Sequence, residues 1–249
     1  MSWPASPTRR HLLLGLSAAG LWPGLALPVA RADNGPWRWP APGRWRYQVD
    51  GRVRGLPYRA SARLDWQHDE RQYLAELSMS MWLLGERRQR SQGELGPEGL
   101  RPVQFLDSSR RTREWRMDWP QARFQAPERD EPLPLPRGAQ DRLSLFFQLG
   151  GLLSRWPSPP PAGHRWLLPV LGRRGSEDWT FVAAGNETLS LPVGEVATWK
   201  VERPPHSAQD LRSELWFAPA WQQLPVRIRL TEANGDVVDQ RLEQRLPPP

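Results

Sequence analysis

The chain has 249 residues, no cysteine, and seven more basic than acidic residues. The lack of cysteine excludes disulfides, thiolate metal sites and lipid attachment through a lipobox cysteine. Lys200 is the single lysine, so the positive charge is almost all arginine; with 28 prolines and 15 tryptophans this indicates the codon usage of a GC-rich bacterium rather than a nucleic-acid partner.

The N-terminus has the pattern of a signal peptide over residues 1–32. Arg9 and Arg10 precede an apolar run, and the segment closes with Ala30 and Ala32 in the small-x-small arrangement that a signal peptidase requires. We therefore expect cleavage at Ala30 to Ala32 and a mature chain of about 217 residues, enough for one domain with a substantial core. The leader has three arginines and no acid, so the mature excess of basic residues falls to four.

Two export routes fit this leader. The residues Thr8-Arg9-Arg10-His11-Leu12-Leu13 resemble a twin-arginine signal, but two arginines also suit the general secretory route. Prolines 23 and 28 interrupt the apolar run, so a permanent membrane span is not expected. The sequence predicts a periplasmic protein and leaves the route open.

Residues 33–42 are predicted to be a linker, 43–246 a single domain and 247–249 a tail. From residue 44 the chain alternates between apolar and polar side chains over successive runs of five or six steps. This period of two predicts antiparallel strands with one buried and one solvent-exposed face. The apolar positions include Trp45, Tyr47, Val49, Tyr58, Ala60, Ala62, Leu64, Trp66, Tyr73, Ala75, Leu77 and Met79.

Residues 86–95 are polar at both alternating positions. One interpretation is an edge strand that charge protects from pairing with other chains. The other is a strand that lines a solvated groove. The residues alone do not decide between them.

A helix is predicted within residues 139–156. Its apolar positions form one broad face, and Asp141 can cap its N-terminus. Gly150 and Gly151 weaken the helix, which predicts either a kink or close packing on the sheet. Alternating strands then resume, and Asn234-Gly235 is a strong hairpin signal.

Together these elements predict a mainly β fold: one strongly curved antiparallel sheet, an open half-barrel of about ten strands, with one amphipathic helix packed on or in it. A sheet of that length must curl or split, and a single apolar helix needs an apolar surface to cover.

Several motifs, in order, resemble the bacterial domain-of-unknown-function family 3108. They are "GLPYRASARLDW", "GPEGLRPVQF", "QDRLSLFFQLG", "LWFAPAWQQLPVRIRL" and "NGDVVDQRL", and the resemblance spans about residues 43–246. It implies an exported protein with a distant fold-level similarity to the lipoprotein-carrier and lipoprotein-receptor half-barrels of the bacterial envelope. It implies no catalytic residues, and fold similarity does not establish function.

The residue patterns of common catalytic and metal sites are missing from the sequence. His68, His164 and His206 have no metal-ligand spacing, and no serine lies in a nucleophile elbow. Ser144, three residues after Asp141, fits capping better than nucleophilic catalysis. We therefore expect no enzyme activity, no metal and no cofactor.

A group of arginines is the main candidate for ligand contact. Seven arginines fall between residues 87 and 113. They form either a solvated strand edge or a basic strip that faces anionic lipid headgroups or an acidic partner. The candidate ligand-binding residues are Arg88, Arg90, Arg110, Arg111 and Arg113.

Tryptophans in the predicted strands, such as Trp66 and Trp179, either fill a closed core or line an apolar cleft. The leading hypothesis is a non-enzymatic periplasmic protein that binds a lipid or an acylated polypeptide in the half-barrel. The alternative is an envelope scaffold with a filled core that binds a partner protein by strand addition. An apolar cavity open at one rim favours the first hypothesis, and a solid core favours the second.

Overall fold

The structure is a computed structural model that describes residues 35–81 and 85–247. The predicted signal peptide, with Ala30 and Ala32 at its cleavage site, lies outside the described residues. So do the first two residues of the predicted linker and the last two of the predicted tail.

The described strands form one antiparallel sheet of fourteen strands. The strands and the α-helix in chain order are β1 Gly43–Val53, β2 Leu56–His68, β3 Gln72–Met81, β4 Gly85–Gly96, β5 Gly99–Ser108, β6 Thr112–Asp118, β7 Arg123–Gln125, β8 Leu133–Pro134, α1 Ser144–Ser154, β9 Arg165–Leu171, β10 Ser176–Leu191, β11 Gly194–Arg203, β12 Arg212–Ala218, β13 Leu224–Thr231 and β14 Val237–Leu246. A short 3-10 helix, Pro219–Trp221, lies between β12 and β13.

The strand order is β8-β7-β6-β5-β4-β3-β2-β1-β14-β13-β12-β11-β10-β9. Sequential hairpins build each half of the sheet, and the pairing of β1 with β14 joins the halves at its centre. The predicted class, a mainly β fold with one open antiparallel sheet and a helix, is confirmed. The predicted number of about ten strands is too low, partly because β7 and β8 have only three and two residues and show no alternation.

The sheet curves until its two outer regions meet without strand pairing between β8 and β9. Gln140, in the segment after β8, donates its backbone N–H to Pro169 O at 2.8 Å and accepts from Leu171 N–H at 2.9 Å. The indole of Trp115 on β6 donates to Gly172 O, just beyond β9, at 3.0 Å. A segment and a side chain therefore bridge the gap, and the half-barrel stays open.

The helix α1 covers the concave inner face of the sheet. Phe147 stacks on Trp66 of β2 with ring centroids 3.9 Å apart, and both residues are fully buried. Asp141 precedes the helix and accepts the N–H groups of Leu143 and Ser144, each at 2.8 Å. The capping role predicted for Asp141 is therefore present, because its carboxylate satisfies backbone donors that the first turn leaves free.

We call the end of the half-barrel that contains the C-terminus of α1 and the turn between β4 and β5 the closed end. Residues 35–42, the described part of the predicted linker, pack across it. Trp37 donates to Pro97 O at 3.0 Å, and Trp66 donates to Pro40 O at 3.0 Å. Trp37 and Trp39 stack on each other against the C-terminal part of α1, and the Trp37 N–H is satisfied by a carbonyl.

The two helical glycines allow close packing at this end. A Cβ on Gly150 would lie 2.7 Å from Gln223 O, and a Cβ on Gly151 would lie 2.4 Å from the ring of Trp39. The helix continues through both residues to Ser154. Of the two predicted roles, close packing is the one observed.

Strand β4, which contains the polar stretch 86–95, lies between β3 and β5. The edge-strand interpretation is therefore wrong. Its inner-facing side chains include Ser91, which is fully buried, and Gln89, which is partly buried. The stretch is polar on both faces because one face meets solvent and the other meets a buried polar network and a cavity.

Candidate functional site

A cavity of about 340 Å³ lies at the end of the half-barrel opposite the closed end. We call this the open end. The cavity lies between the first turn of α1 and the inner faces of strands on both halves of the sheet. Most of its deep wall is apolar, with Leu77, Met79, Leu145, Phe146, Phe181, Leu215, Leu230 and Val238 among the lining residues.

The alternation of the strands produces this wall. Leu77 and Met79 of β3 are two residues apart, as are Val238 and Gln240 of β14, so each pair faces inward. Leu145 in the first turn of α1 is buried against the same space. The wall therefore combines sheet and helix residues that lie far apart in the chain.

Charged residues surround the mouth of this cavity. Arg87 on β4 forms a bidentate ion pair with Asp107 on β5, with N–O distances of 2.9 and 2.7 Å. The hydrogen bond to Asp107 raises the pKa of Arg87. Burial by itself would raise the pKa of Asp107, but the hydrogen bonds and charge of Arg87, with help from Gln89 and Arg142, hold it below its ordinary value. Asp107 therefore stays ionised and neutralises Arg87.

Arg142 differs from Arg87 because it is exposed and has no ion pair or hydrogen bond from its guanidinium within the described residues. It lies one residue after the buried Asp141, in the turn that precedes α1. It lines the apolar cavity and also a second, adjoining space. A guanidinium without a direct ion pair therefore lies on the boundary between the apolar cavity and a polar space, close enough to Asp107 for its charge to lower that pKa.

The second space, of about 570 Å³, is the basic recess, lined by residues 127–129, 142 and 172–177. It lies where the two outer regions of the curved sheet approach each other. Four arginines, at positions 129, 142, 173 and 174, face two glutamates, Glu128 and Glu177. Arg173 forms an ion pair with Glu128.

A buried polar network anchors α1 beside the cavity. Ser91 donates to Asp141 Oδ2 at 2.6 Å, and Tyr73 OH lies 3.0 Å from Ser91 Oγ. Burial raises the pKa of Asp141 even though hydrogen bonds from Ser91, Ser144 and Leu143 oppose the shift. Ser144 is fully buried, and its Oγ accepts the N–H of Asp141 at 3.0 Å, which is a capping interaction.

Two of the candidate ligand-binding arginines, Arg88 and Arg90, lie on the outer face of β4. Arg88 pairs with Glu86 at 3.2 Å and Arg90 with Glu76 at 3.5 Å. Their sequence neighbours Arg87 and Gln89 face inward and line the cavity. Neither Arg88 nor Arg90 contributes to the cavity wall.

Of the other three candidates, two lie in the turn between β5 and β6, and Arg113 lies on β6. Arg110 and Arg111 are exposed in the turn between these strands. Arg113 lies near the basic recess, and its Nε is 3.5 Å from Glu128. The structure therefore places one of the five candidates close to the recess and does not bring all five together.

The site residues that sequence reasoning missed are Arg87, Gln89 and Arg142. Strand parity could have identified the first two, because Ser91 and Gly93 continue the same inner face. No alternation in the sequence identifies Arg142, because its position depends on how α1 packs against the curved sheet. Of the predicted strand tryptophans, Trp179 lines the cavity and Trp66 fills the core, so both predicted roles occur.

The three histidines within the described residues lie away from this cavity. His164 lies between the rings of Trp156 and Trp166, with centroid distances of 4.9 and 4.7 Å. His68 contacts Pro40 O through Nε2 at 3.1 Å, and His206 is exposed in a loop. Among residues 35–81 and 85–247, no group of three or more His, Asp or Glu side chains is arranged to hold a metal ion.

The helical segments that the structure describes are too short or too polar to cross a bilayer.

Solved structures that align with this chain include the following two. A β-barrel-like protein of the domain of unknown function DUF1849 from Brucella abortus aligns with a TM-score of 0.54 at 9% identity, covering 84% of this chain and 98% of that one. A protein with a YmcC-like fold from Bacteroides fragilis aligns with a TM-score of 0.36 at 13% identity, covering 85% and 99%. At these identities the first similarity supports the fold alone.

No curated protein matches the sequence. The family model described as "Protein of unknown function (DUF3108)" matches residues 46–242, most of the domain built by the curved sheet. This agrees with the resemblance carried by the sequence motifs. The chain belongs to the DUF3108 family.

Proposed function

We propose that this protein is an exported, non-enzymatic periplasmic protein that binds a lipid or an acylated polypeptide in its half-barrel. The apolar cavity at the open end carries the proposal. Its volume of about 340 Å³ lies within the range of about 300 to 1,000 Å³ that is usual for ligand sites.

The chemistry of the wall favours an aliphatic chain as the occupant. The walls are mainly leucine, valine, methionine and phenylalanine side chains. Each methylene group that moves from water into such a wall contributes about 0.8 kcal/mol. The polar side chains at the mouth of the cavity can contact the polar headgroup of the ligand, which remains in water.

The alternative, a scaffold that adds a partner strand, has less support. Part of the β9 edge is already occupied by Gln140, which bonds to Pro169 and Leu171. The other edge strand, β8, is Leu133–Pro134, and proline cannot donate to a partner strand. The packed closed end matches the filled core that the scaffold hypothesis requires, but the open end does not.

A cavity-filling variant tests ligand binding. We expect the mature protein, purified from the periplasm, to carry an amphiphile visible by native mass spectrometry. Leu230→Trp, which places an indole in the cavity, should carry none. Leu167→Trp is the matched control, because Leu167 is 61% exposed on the edge strand and lies away from the cavity.

Two results would reject the proposal. One is a wild-type protein that is empty on purification and takes up neither dodecyl phosphate, dodecanoate nor dodecanol. The other is a Leu230→Trp protein with the same amphiphile load as the wild type.

Export is tested separately by cell fractionation and N-terminal sequencing. We expect the protein in the periplasm with Asp33 as its first residue, because cleavage follows Ala32. An uncleaved protein in the cytoplasm would contradict this part of the proposal. Replacing Arg9 and Arg10 with lysines should stop twin-arginine export and leave general secretion intact.

A further inference from the structure

Arg142 is placed to contact both parts of an amphiphile. It lines the apolar cavity together with Leu145 and Phe146, its near neighbours in α1. It also lines the basic recess together with Arg129 and Arg174. A molecule whose chain fills the cavity therefore meets this guanidinium where the apolar wall ends.

The charge balance of the recess favours an anion. Four arginines and two glutamates line it, which leaves an excess of two positive charges. Glu128 is shared, since it pairs with Arg173 and also lies 3.5 Å from Arg113. Within the described residues, the guanidinium groups of Arg129, Arg142 and Arg174 have no carboxylate partner at ion-pairing distance.

Many arginines elsewhere on the sheet are compensated. Arg88 pairs with Glu86, Arg90 with Glu76, and Arg227 with Asp239 at 2.6 Å. At the mouth itself, Arg87 is neutralised by Asp107. Arg110 and Arg111, in the turn between β5 and β6, also have no ion pair within the described residues. The arginines of the recess differ from them because they line a concave space that adjoins the apolar cavity.

We infer that the cavity selects amphiphiles with an anionic head, a phosphate or a carboxylate, and that Arg142 binds this head with help from Arg129 and Arg174. The inference rests on the proposed function and specifies its ligand class. Guanidinium groups match phosphate and carboxylate oxygens with paired hydrogen bonds. The recess provides space for the head, and the cavity holds the chain.

Four probes of equal chain length test this inference by titration calorimetry below their micelle concentrations. They are dodecyl phosphate, dodecanoate, dodecanol and dodecyltrimethylammonium. We expect the two anions to bind the wild type about tenfold tighter than dodecanol, and the cation to bind weakest. The preference should shrink with added salt, because the mouth is exposed to solvent.

Arg142→Gln should reduce the preference for anions to less than about threefold while binding of dodecanol stays unchanged. The double variant Arg142→Gln with Arg174→Gln should abolish it. Arg88→Gln is the matched control, because Arg88 pairs with Glu86 on the outer face and should leave all four affinities unchanged.

Equal affinities of the wild type for dodecyl phosphate and dodecanol would overturn the inference and leave the proposed function standing. An Arg142→Gln protein that keeps its preference would also overturn the inference. Inorganic phosphate that binds as tightly as dodecyl phosphate would indicate a free-anion site instead of a headgroup site. Failure of all four probes to bind a wild-type protein that is empty on purification would reject the proposed function itself.

Discussion

The two ends of the half-barrel differ in how the helix meets the sheet. At the closed end, Gly150 and Gly151 let α1 approach the backbone of Gln223 and the ring of Trp39, and residues 35–42 cover what remains. At the open end, Leu145 and Phe146 line the apolar cavity, and Arg142 also lines the basic recess. One helix therefore anchors the core at its C-terminal end and lines a ligand site at its N-terminal end.

The comparison suggests a division of roles along one element. Substitutions at the closed end should change the stability of the protein, whereas substitutions at the open end should change binding with little effect on stability.

Trp66→Ala should destabilise the protein most, by about 4 kcal/mol. Trp66 is fully buried, stacks on Phe147 at 3.9 Å and donates to Pro40 O, so its loss leaves a large void and removes one of the hydrogen bonds to that carbonyl. Urea denaturation measures the effect. Trp179→Ala at the open end is the matched control and should cost only about 1 kcal/mol, because Trp179 is partly exposed beside Arg203. Equal losses for the two variants would contradict the comparison.

Gly150→Ala should destabilise the protein by about 1 to 3 kcal/mol, although alanine normally favours a helix by about 1 kcal/mol over glycine. The new Cβ would lie 2.7 Å from Gln223 O, a backbone atom that cannot move freely. Gly96→Ala is the control, since its nearest contact is Gly99 O at 3.7 Å. A stabilised Gly150→Ala protein would show that the helix does not pack closely here.

Asp141→Asn should change how stability depends on pH. The folded protein holds the Asp141 proton more tightly than the unfolded chain does, because burial raises this pKa. Unfolding therefore releases a proton, and the wild type should lose stability relative to the Asn variant as the pH rises above about 4. The slope is at most about 1.4 kcal/mol per pH unit while the buried carboxyl titrates.

Urea denaturation of both proteins across this pH range measures the difference. Parallel pH profiles for wild type and Asp141→Asn would contradict the prediction. The amide can still accept the backbone N–H groups of Leu143 and Ser144, so we expect the variant to fold.

Arg142→Gln should change stability least, by less than about 0.5 kcal/mol, because an exposed, unpaired guanidinium contributes little to folding. Arg88→Gln should give a similarly small change, since its ion pair with Glu86 is exposed. A loss above about 1.5 kcal/mol for Arg142→Gln would indicate that the open end also supports the fold, in contrast to the division proposed here.

The sequence predicts the fold well where apolar and polar residues alternate. In β2, Tyr58, Ala62, Leu64 and Trp66 share one face, and the structure places this face inward. The rule becomes ambiguous in β4, where the inner positions are Arg87, Gln89 and Ser91. A strand with a polar inner face has the same sequence pattern as a solvent-exposed strand. The sequence of β4, which lines the cavity, therefore resembles that of an edge strand.

The candidate site is harder to predict because it depends on curvature. Glu128 and Arg173 are 45 positions apart, and they meet only because the outer regions of the sheet curl toward each other. The secondary-structure propensities of neighbouring residues contain no information on how far the sheet curls. The abundance of arginine in the sequence does not separate Arg88 and Arg90, which form ion pairs, from Arg142, which forms none within the described residues.

Photocrosslinking tests the central claim most directly. Dodecyl phosphate with a diazirine at the end of its chain is bound to the mature protein, irradiated, and the modified residues are located by peptide mass spectrometry. We expect crosslinks at cavity residues such as Leu77, Met79, Leu145 and Leu215. Crosslinks confined to residues 35–42 or to the outer face of the sheet would contradict a ligand site at the open end.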